Sequence, residues 1–286
     1  MRTWRKAVAV IVLCATPATL FAQAAPTPTH RRTHPGDPGT IEAALAAYKG
    51  TTRTVDEGAL PLTRAGGSCP SDMAKVDDRF CVDRFEGSIV ELAADGSTTP
   101  HAANLPLEDG TRYAARSVAG VVPQAYISAE QAQAACGAVG KRLCNPTEWR
   151  LACGGSNATV YPYGTTHAAG KCNDAGKNPM LAYHPPPPNT RGWPGWNLED
   201  LNDPRNDVME GTVAKTGAFN ACLNDWGAFD MVGNLHEWTS DPNGTFQGGY
   251  FLDTTVNGEG CAYRTTAHHF RYHDYSTGFR CCSALK

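Results

Sequence analysis

The chain has 286 residues, enough for one large domain or two small ones. Charged residues make up 19%, hydrophobic residues 41%, and the formal net charge is -3, a composition that excludes a disordered chain. This near balance of charges provides no basic field for a nucleic acid backbone, so we expect no nucleic acid partner.

The first 24 residues have the pattern of a secretory signal peptide. Basic residues at positions 2, 5 and 6 precede an apolar run from Ala7 to Leu20, and Ala22 and Ala24 supply the small residues of a cleavage site. A membrane anchor is the alternative, but this run is shorter than the roughly 20 residues that span a bilayer. Lipidation at Cys14 is disfavoured by the bulky Leu13 before it. We therefore expect an exported protein, periplasmic or extracellular, with no membrane span.

Residues 25–68 are predicted to form a flexible tether, because this segment is rich in Pro, Thr, Gly and charge. One short helix, at 41–48, is expected inside it. From residue 69 onward the signals of order are dense, and no second linker or internal repeat interrupts them. Residues 69–286 are therefore predicted to form one domain.

The cysteines predict a disulfide framework. After the leader the chain has an even number of them, as is typical of exported disulfide-bonded proteins: Cys69, Cys81, Cys136, Cys144, Cys153, Cys172, Cys222, Cys261, Cys281 and Cys282. Structural zinc is the alternative, but no C-x-x-C pair is present. Spacing alone does not choose among the many pairings.

Two helices are predicted from their capping residues. Ser128 and Gln131 form a capping box, and the helix that follows is expected to end near Gly140. Asn145 caps a second helix, with proline in its first position, which stops at 154–155.

Strands are expected to be few and short, at 79–82, 229–232, 248–252, 262–265 and 279–281. Between 154 and 227 the sequence has little periodicity, which predicts a long loop fastened by disulfides or ions. The predicted fold class is α+β: a single irregular domain with two main helices and few short strands.

Three segments together resemble one known family. They are GKRLCNPTEW at 140–149, WGAFDMVGNLHEWTSD at 226–241 and GFRC at 278–281, with a Gly-Gly pair at 248–249 between the last two. In this order they resemble the formylglycine-generating enzyme family, also called sulfatase-modifying factors. The resemblance covers roughly residues 69–282, and it implies a fold related to the C-type lectin-like fold.

The resemblance implies a chemistry for which this sequence lacks the reactive groups. Members of the family oxidise a cysteine of client sulfatases to formylglycine, using oxygen and a copper ion held by two thiolates. The matching stretch here, 250–260, contains no cysteine, and Tyr250 and His236 replace a usual Ser and Trp. Because the thiolate is both the metal ligand and the reactive group, we expect neither copper nor cysteine-oxidase activity.

The resemblance also implies two disulfides, each of which would tie a predicted helix to the C-terminal strands: Cys136–Cys281 and Cys153–Cys261. Among the other cysteines, Cys69 and Cys81 would form a local hairpin staple. The pairing of the last four stays open, and our choice among them is Cys172–Cys222 and Cys144–Cys282.

Two calcium sites are implied by matching positions, and oxygen ligands of these kinds suit calcium. The first would use the side chains of Asp230 and Glu237 with the carbonyls of Gly233 and Leu235. The alternative is that Asp230 lies on the surface and Glu237 begins a helix. The second site would use the side chains of Asn173 and Asp207 with two carbonyls, those of Asp174 and Met209. Both sites would fasten the long aperiodic loop.

Several polar residues are candidates for lining the matched pocket: His236, Tyr250, His268, His269 and Arg264. With His273, these histidines could ligate a transition metal, and related non-haem iron enzymes make iron the alternative cofactor. Those relatives draw ligands from an added helical domain for which this chain has no room. Polar pocket lining is therefore the favoured interpretation of the histidines.

The favoured function is a calcium-stabilised binding or structural module for an unknown peptide, glycan or small ligand. One alternative is a metal-dependent oxidase of the same family that acts on a protein or small-molecule thiol. Another is a true formylglycine-generating oxidase, which would require Cys261 or Cys282 to be free.

Overall fold

The computed structural model describes residues 67–188 and 195–286, which belong to one compact unit. The predicted signal peptide, the tether up to residue 66 and the helix expected at 41–48 lie outside the described residues. The prediction of an α+β fold is confirmed, because the described part combines short helices with three small sheets.

Both predicted helices are present, with the predicted caps. Helix α1 (Ala129–Ala138) begins with a complete capping box from Ser128, and Gly140 follows its end at φ +72°. Helix α2 (Pro146–Gly154) is capped by Asn145 and stops at Gly155. The other helices are one or two turns long: α3 (Pro179–Tyr183), α4 (Leu198–Leu201) and a 3₁₀ turn, Gly260–Ala262.

The strands have two to six residues each and form three sheets. The first is antiparallel, in the order β1 (Met73–Val76), β2 (Phe80–Asp83), β11 (Cys281–Ala284) and β6 (Arg142–Leu143). The second has the order β10 (Thr277–Phe279), β7 (His236–Trp238), β8 (Phe246–Gln247) and β9 (Arg264–Thr265). The third is antiparallel, with β3 (Gly87–Leu92) between β4 (Thr98–Pro100) and β5 (Tyr113–Ser117).

Two predicted strands are wrong. Residues 229–232 form a bend, because Asp230 adopts a left-handed φ of +54°. Residues 248–252 form a turn, because Gly248 and Gly249 have φ values of +87° and +71°, and the strand β8 ends just before them. The predicted strand at 279–281 is interrupted at Arg280 and divided between β10 and β11.

Among the described residues five disulfides fasten the domain, and they include the two pairs that the resemblance implies, Cys136–Cys281 and Cys153–Cys261. The others are Cys69–Cys81, Cys144–Cys282 and Cys172–Cys222, so the four cysteines whose pairing was open are joined as we chose. Successive side chains of a strand point to opposite faces. The adjacent Cys281 and Cys282 of β11 therefore join two different core clusters, one against α1 and one beneath α2. Five disulfides are typical of proteins that fold in an oxidising compartment.

Two tryptophans, Trp149 and Trp238, are fully buried. Trp149 of α2 belongs to one core cluster and Trp238 of β7 to another. The Trp238 indole donates a hydrogen bond to the Ile127 carbonyl, at 2.9 Å. In the part of the chain that the structure describes, no helix combines the length and apolarity needed to cross a bilayer.

Candidate functional site

Aromatic side chains fill the region around His236 and Tyr250, two of the candidate pocket residues. The ring of His236, on β7, stacks on Tyr250 at 4.7 Å between centroids, and Phe246 and Tyr263 lie 4.5 and 5.5 Å from it. Tyr250 follows the Gly-Gly turn and forms a bridge with Asp253. Bulky rings therefore surround His236 and Tyr250, the two positions at which the sequence departs from the family pattern.

The imidazole of His236 is held in a dry environment. It is 6% exposed; its Nδ1 lies 3.2 Å from the Ser276 hydroxyl and its Nε2 lies 3.5 Å from the Tyr263 hydroxyl. Burial, followed by the charge of His268, lowers the pKa of His236 to about 3. The ring is therefore neutral near physiological pH, as suits a packed aromatic position.

The three candidate histidines of the loop at 268–273 contact different neighbours. His268 stacks on Phe246 at 4.6 Å, whereas His269 stacks on Phe270 at 4.9 Å. The third histidine of this loop, His273, contacts the Asn202 amide oxygen at 2.7 Å. Across 67–188 and 195–286, no group of three or more His, Cys, Asp or Glu side chains is arranged to hold a metal.

Arg264 is exposed on the edge strand β9, beside this filled region. With the neighbouring loop residues Asp241, Asn243, Thr266 and Ala267 it lines an open depression of about 310 Å³. The depression carries one charge of each sign on its rim. Of the candidate pocket residues, Arg264 is the one that lines this depression.

Every cysteine in the described residues is in a disulfide. Cys261 is bonded to Cys153 and Cys282 to Cys144, so neither of the thiols that an oxidase would require is free. This finding disagrees with the alternative of a formylglycine-generating oxidase whose thiols lie elsewhere in the domain.

The first candidate calcium site is a buried cluster of charges. The Glu237 carboxylate accepts two hydrogen bonds from the Arg280 guanidinium, both at 2.6 Å, and a third from the Trp149 indole, at 2.6 Å. Asp230 accepts from the backbone N–H of Gly217 at 2.7 Å, and burial raises the pKa of Asp230 to about 6. Glu237 therefore lies in the core with an arginine partner and does not begin a helix.

A third carboxylate in this cluster, Glu86, has no counterpart in the sequence-based prediction. It is fully buried, and its two oxygens accept from the Leu235 backbone N–H at 3.1 Å and the Asn234 amide at 2.5 Å. Burial, and then the charges of Asp230 and Glu237, raise the pKa of Glu86 well above its usual range. No local pattern marks Glu86, because its neighbours come from residues about 150 positions away.

The remaining candidate ligands of this first site lie on the turn between those carboxylates. Gly233 has a φ of +81°, and a Cβ there would lie 2.3 Å from the Asn173 carbonyl oxygen. Only glycine permits that approach. Leu235 is buried, 1% exposed, in a cluster with Phe251 and Tyr275.

The second candidate site contains carboxylate oxygens with no partner. Both oxygens of Asp207 are buried without a hydrogen bond, and the residue is 7% exposed. Burial, followed by the charge of Asp274, raises the pKa of Asp207 well above its usual value. A buried carboxylate of this kind requires a proton or a bound cation.

Asn173 and Met209, two further members of the second site, both form hydrogen bonds with Thr212. The Asn173 amide donates to the Thr212 carbonyl at 2.9 Å, and the Thr212 hydroxyl donates to the Met209 carbonyl at 2.7 Å. The Asp174 side chain faces the His167 ring at 2.7 Å, and its other oxygen is buried without a partner. The open oxygens of Asp207 fit a hard divalent cation, whereas Glu237 already has the Arg280 guanidinium as its counter-ion.

Fold and site together define a disulfide-fastened α+β domain in which every described cysteine is paired. The family model described as "Sulfatase-modifying factor enzyme 1-like domain" matches residues 80–285. The chain therefore belongs to this family, the formylglycine-generating enzymes, which confirms the predicted resemblance.

A curated relative and several solved structures are similar to the chain. The bovine (Bos taurus) protein "Inactive C-alpha-formylglycine-generating enzyme 2" is 28% identical over 174 residues, which cover 56% of this chain. The chain spans half the length of that relative. The Major Tropism Determinant I1 variant has 14% identity and a TM-score of 0.43, covering 77% of this chain and 54% of its own. CarF has 14% identity and a TM-score of 0.39, covering 80% and 100%.

Proposed function

We propose that this protein is an exported, calcium-stabilised member of the formylglycine-generating enzyme family that has no cysteine-oxidase activity. It acts as a binding or structural module for a peptide, a glycan or another small ligand. The observation that carries this proposal is that every cysteine among the described residues is in a disulfide, which leaves no thiolate there to hold copper.

The loss of oxidase chemistry follows from the ligands that remain. Copper(I) prefers thiolate ligands, and an imidazole among packed tyrosines gives it neither a second soft ligand nor an open coordination position. The disulfides of Cys261 and Cys282 supply no thiolate. The bovine relative is named as an inactive enzyme, which agrees with this proposal.

A role for calcium is supported by the buried, unpartnered carboxylate of Asp207. A cation there would join the loop that holds Asp207 to the segment that holds Asn173, which Cys172–Cys222 already fastens at one end. Calcium would supply a fixed positive charge that satisfies these oxygens, and it would have no part in a reaction. Export is supported by the leader pattern and by the five disulfides.

The ligand would bind at the surface, beside the filled region. The depression around Arg264 has a basic and an acidic side chain on its rim, together with backbone from an edge strand. Such a rim suits a polar ligand with hydrogen-bonding groups, such as a short peptide or a sugar.

The proposal is tested with purified protein, oxygen, copper(I) and a Cys-x-Pro-x-Arg peptide, read by mass spectrometry, beside an active formylglycine-generating enzyme as the positive control. We expect no loss of mass at the peptide cysteine. Conversion of that cysteine to an aldehyde would refute the proposal. Metal analysis separates the alternatives, since calcium alone agrees with a binding module, whereas stoichiometric iron or copper would favour a metal-dependent oxidase.

A further inference from the structure

Asn234, together with Gly233, connects the two candidate cation sites. It is 2% exposed, has a left-handed φ of +58° and lies between the candidate ligands Gly233 and Leu235. Its backbone N–H donates to the Asn173 carbonyl at 2.8 Å, and its side chain contacts Glu86 and Asn173. A change at Asn234 therefore reaches both sites.

The backbone of Ala214 fixes the orientation of the Asn234 amide. The Ala214 N–H donates to Oδ1 at 2.8 Å, and the Ala214 carbonyl accepts from Nδ2 at 3.2 Å. An N–H cannot accept and a carbonyl cannot donate, so only one orientation of this amide satisfies both. In that orientation Nδ2 also donates to the Glu86 carboxylate at 2.5 Å.

The Oδ1 atom of Asn234 and the Thr212 carbonyl together determine how the neighbouring Asn173 amide lies. Because Oδ1 of Asn234 is an acceptor, the group of Asn173 that faces it, at 2.8 Å, must be the NH2. The second proton of that NH2 is donated to the Thr212 carbonyl. Both donors of the Asn173 amide are then used inside the protein, and its oxygen is the atom left to serve as a ligand.

We propose that Asn234 is a positioning residue for calcium: the hydrogen-bonded series Glu86–Asn234–Asn173 orients the Asn173 amide so that its oxygen, and not its nitrogen, is presented to the cation. This inference rests on the proposed function, since it concerns the site to which Asp207 contributes. It also explains the fully buried Glu86, whose carboxylate accepts from the first amide of the series. Asn234 itself does not contact the ion.

The test measures calcium affinity by isothermal titration on the full-length, disulfide-bonded protein. Asn234→Gly removes the side chain and keeps the left-handed backbone accessible. We expect it to weaken calcium binding at least about tenfold, which corresponds to about 1.4 kcal/mol. The matched control is Asn224→Gly, because Asn224 is also a buried asparagine, and its side chain bonds four backbone groups in another turn. The control should lower the melting temperature and leave the calcium affinity unchanged.

A second variant separates orientation from charge. The double change Glu86→Gln/Asn234→Asp exchanges the amide and the carboxyl group between the two positions. The position-86 amide can still donate to position 234, where an oxygen still accepts from the Ala214 N–H and still faces the Asn173 NH2, whereas the bond to the Ala214 carbonyl is lost. We expect the double variant to be less stable but to keep a calcium affinity within about threefold of wild type, because the acceptor that faces Asn173 is retained.

The outcomes distinguish this inference from the function on which it rests. If wild type binds calcium and Asp207→Asn abolishes binding, but Asn234→Gly binds like wild type, the role of Asn234 is refuted and the calcium site stands. Weakening by Asn224→Gly as large as that by Asn234→Gly, or a tenfold loss in the double variant, also refutes it. If Asn234→Gly does not fold, the double variant decides. No calcium binding by wild type refutes both the site and the role of Asn234.

Discussion

Arg280 and Glu237 form a two-point ion pair in the core, with their side chains 0% and 1% exposed. Glu237 lies on β7 opposite Gly278 of the parallel strand β10, and Arg280 follows the end of β10. The guanidinium also donates to the backbone carbonyls of Asp83 and Phe229. One side chain thus joins two sheets to the bend that carries Asp230.

Removing one partner of this pair should destabilise the fold strongly. Arg280→Met leaves the Glu237 carboxylate buried without its counter-ion, and we expect a loss of about 3–5 kcal/mol in the free energy of unfolding. The control is Arg205→Met, because Arg205 pairs with Asp203 on the surface and is 58% exposed. That change should alter stability by less than about 1 kcal/mol in urea denaturation. Equal losses in the two variants would contradict the prediction that breaking the buried pair costs more stability than breaking the surface pair.

His236 should make stability fall in acid. Its pKa is about 3 in the folded protein and near 6.5 when unfolded, so the unfolded chain binds more protons between these values. Stability contributed by the neutral ring is therefore present above about pH 6.5 and is lost as the pH falls towards 3, by at most about 1.4 kcal/mol per pH unit. His236→Phe should flatten this part of the profile, measured by urea denaturation with a chelator present. Parallel profiles of stability against pH for the two proteins would show that His236 does not cause the loss of stability in acid.

The effect of Asp207→Asn on thermal stability should change sign when calcium is added. In a chelator, Asp207→Asn removes a buried carboxylate that has no partner, so the melting temperature should stay the same or rise. In excess calcium the wild type should gain stability by mass action, and the variant should gain little. The exposed Asp109→Asn is the control and should respond to calcium as the wild type does. An undiminished calcium response in Asp207→Asn would argue against this site.

The stability that each disulfide contributes should increase with the length of the loop that it closes. Cys153–Cys261 spans 108 residues and Cys69–Cys81 spans 12. Chain entropy predicts losses of about 4.8 and about 2.9 kcal/mol when each pair is changed to alanine. Unfolding of the two double variants in urea measures the difference. A larger loss for the short loop would show that native-state contacts, and not loop closure, dominate.

Local features of this protein could be predicted from the sequence because their causes are local. Ser128 and Asn145 each cap a helix through residues three positions ahead, so the capping pattern and its bonds occupy one short segment. The family motifs likewise lie in continuous stretches. The strand expected at 229–232 was wrong because the apolar spacing contains no sign of the left-handed φ at Asp230, which contacts between distant segments impose.

The electrostatics of the site depended on the tertiary structure. Arg280 became the partner of Glu237, and Glu86 joined the same cluster, through contacts between residues 43 to 149 positions apart. The absence of thiols between 223 and 260 was evident in the sequence. The packing of the His236 ring against Tyr250 and Tyr263 became evident only in the structure. The tertiary structure also leaves the Asp207 carboxylate without a partner. The physical reason is that the partners of a buried charge depend on how segments far apart along the chain pack together.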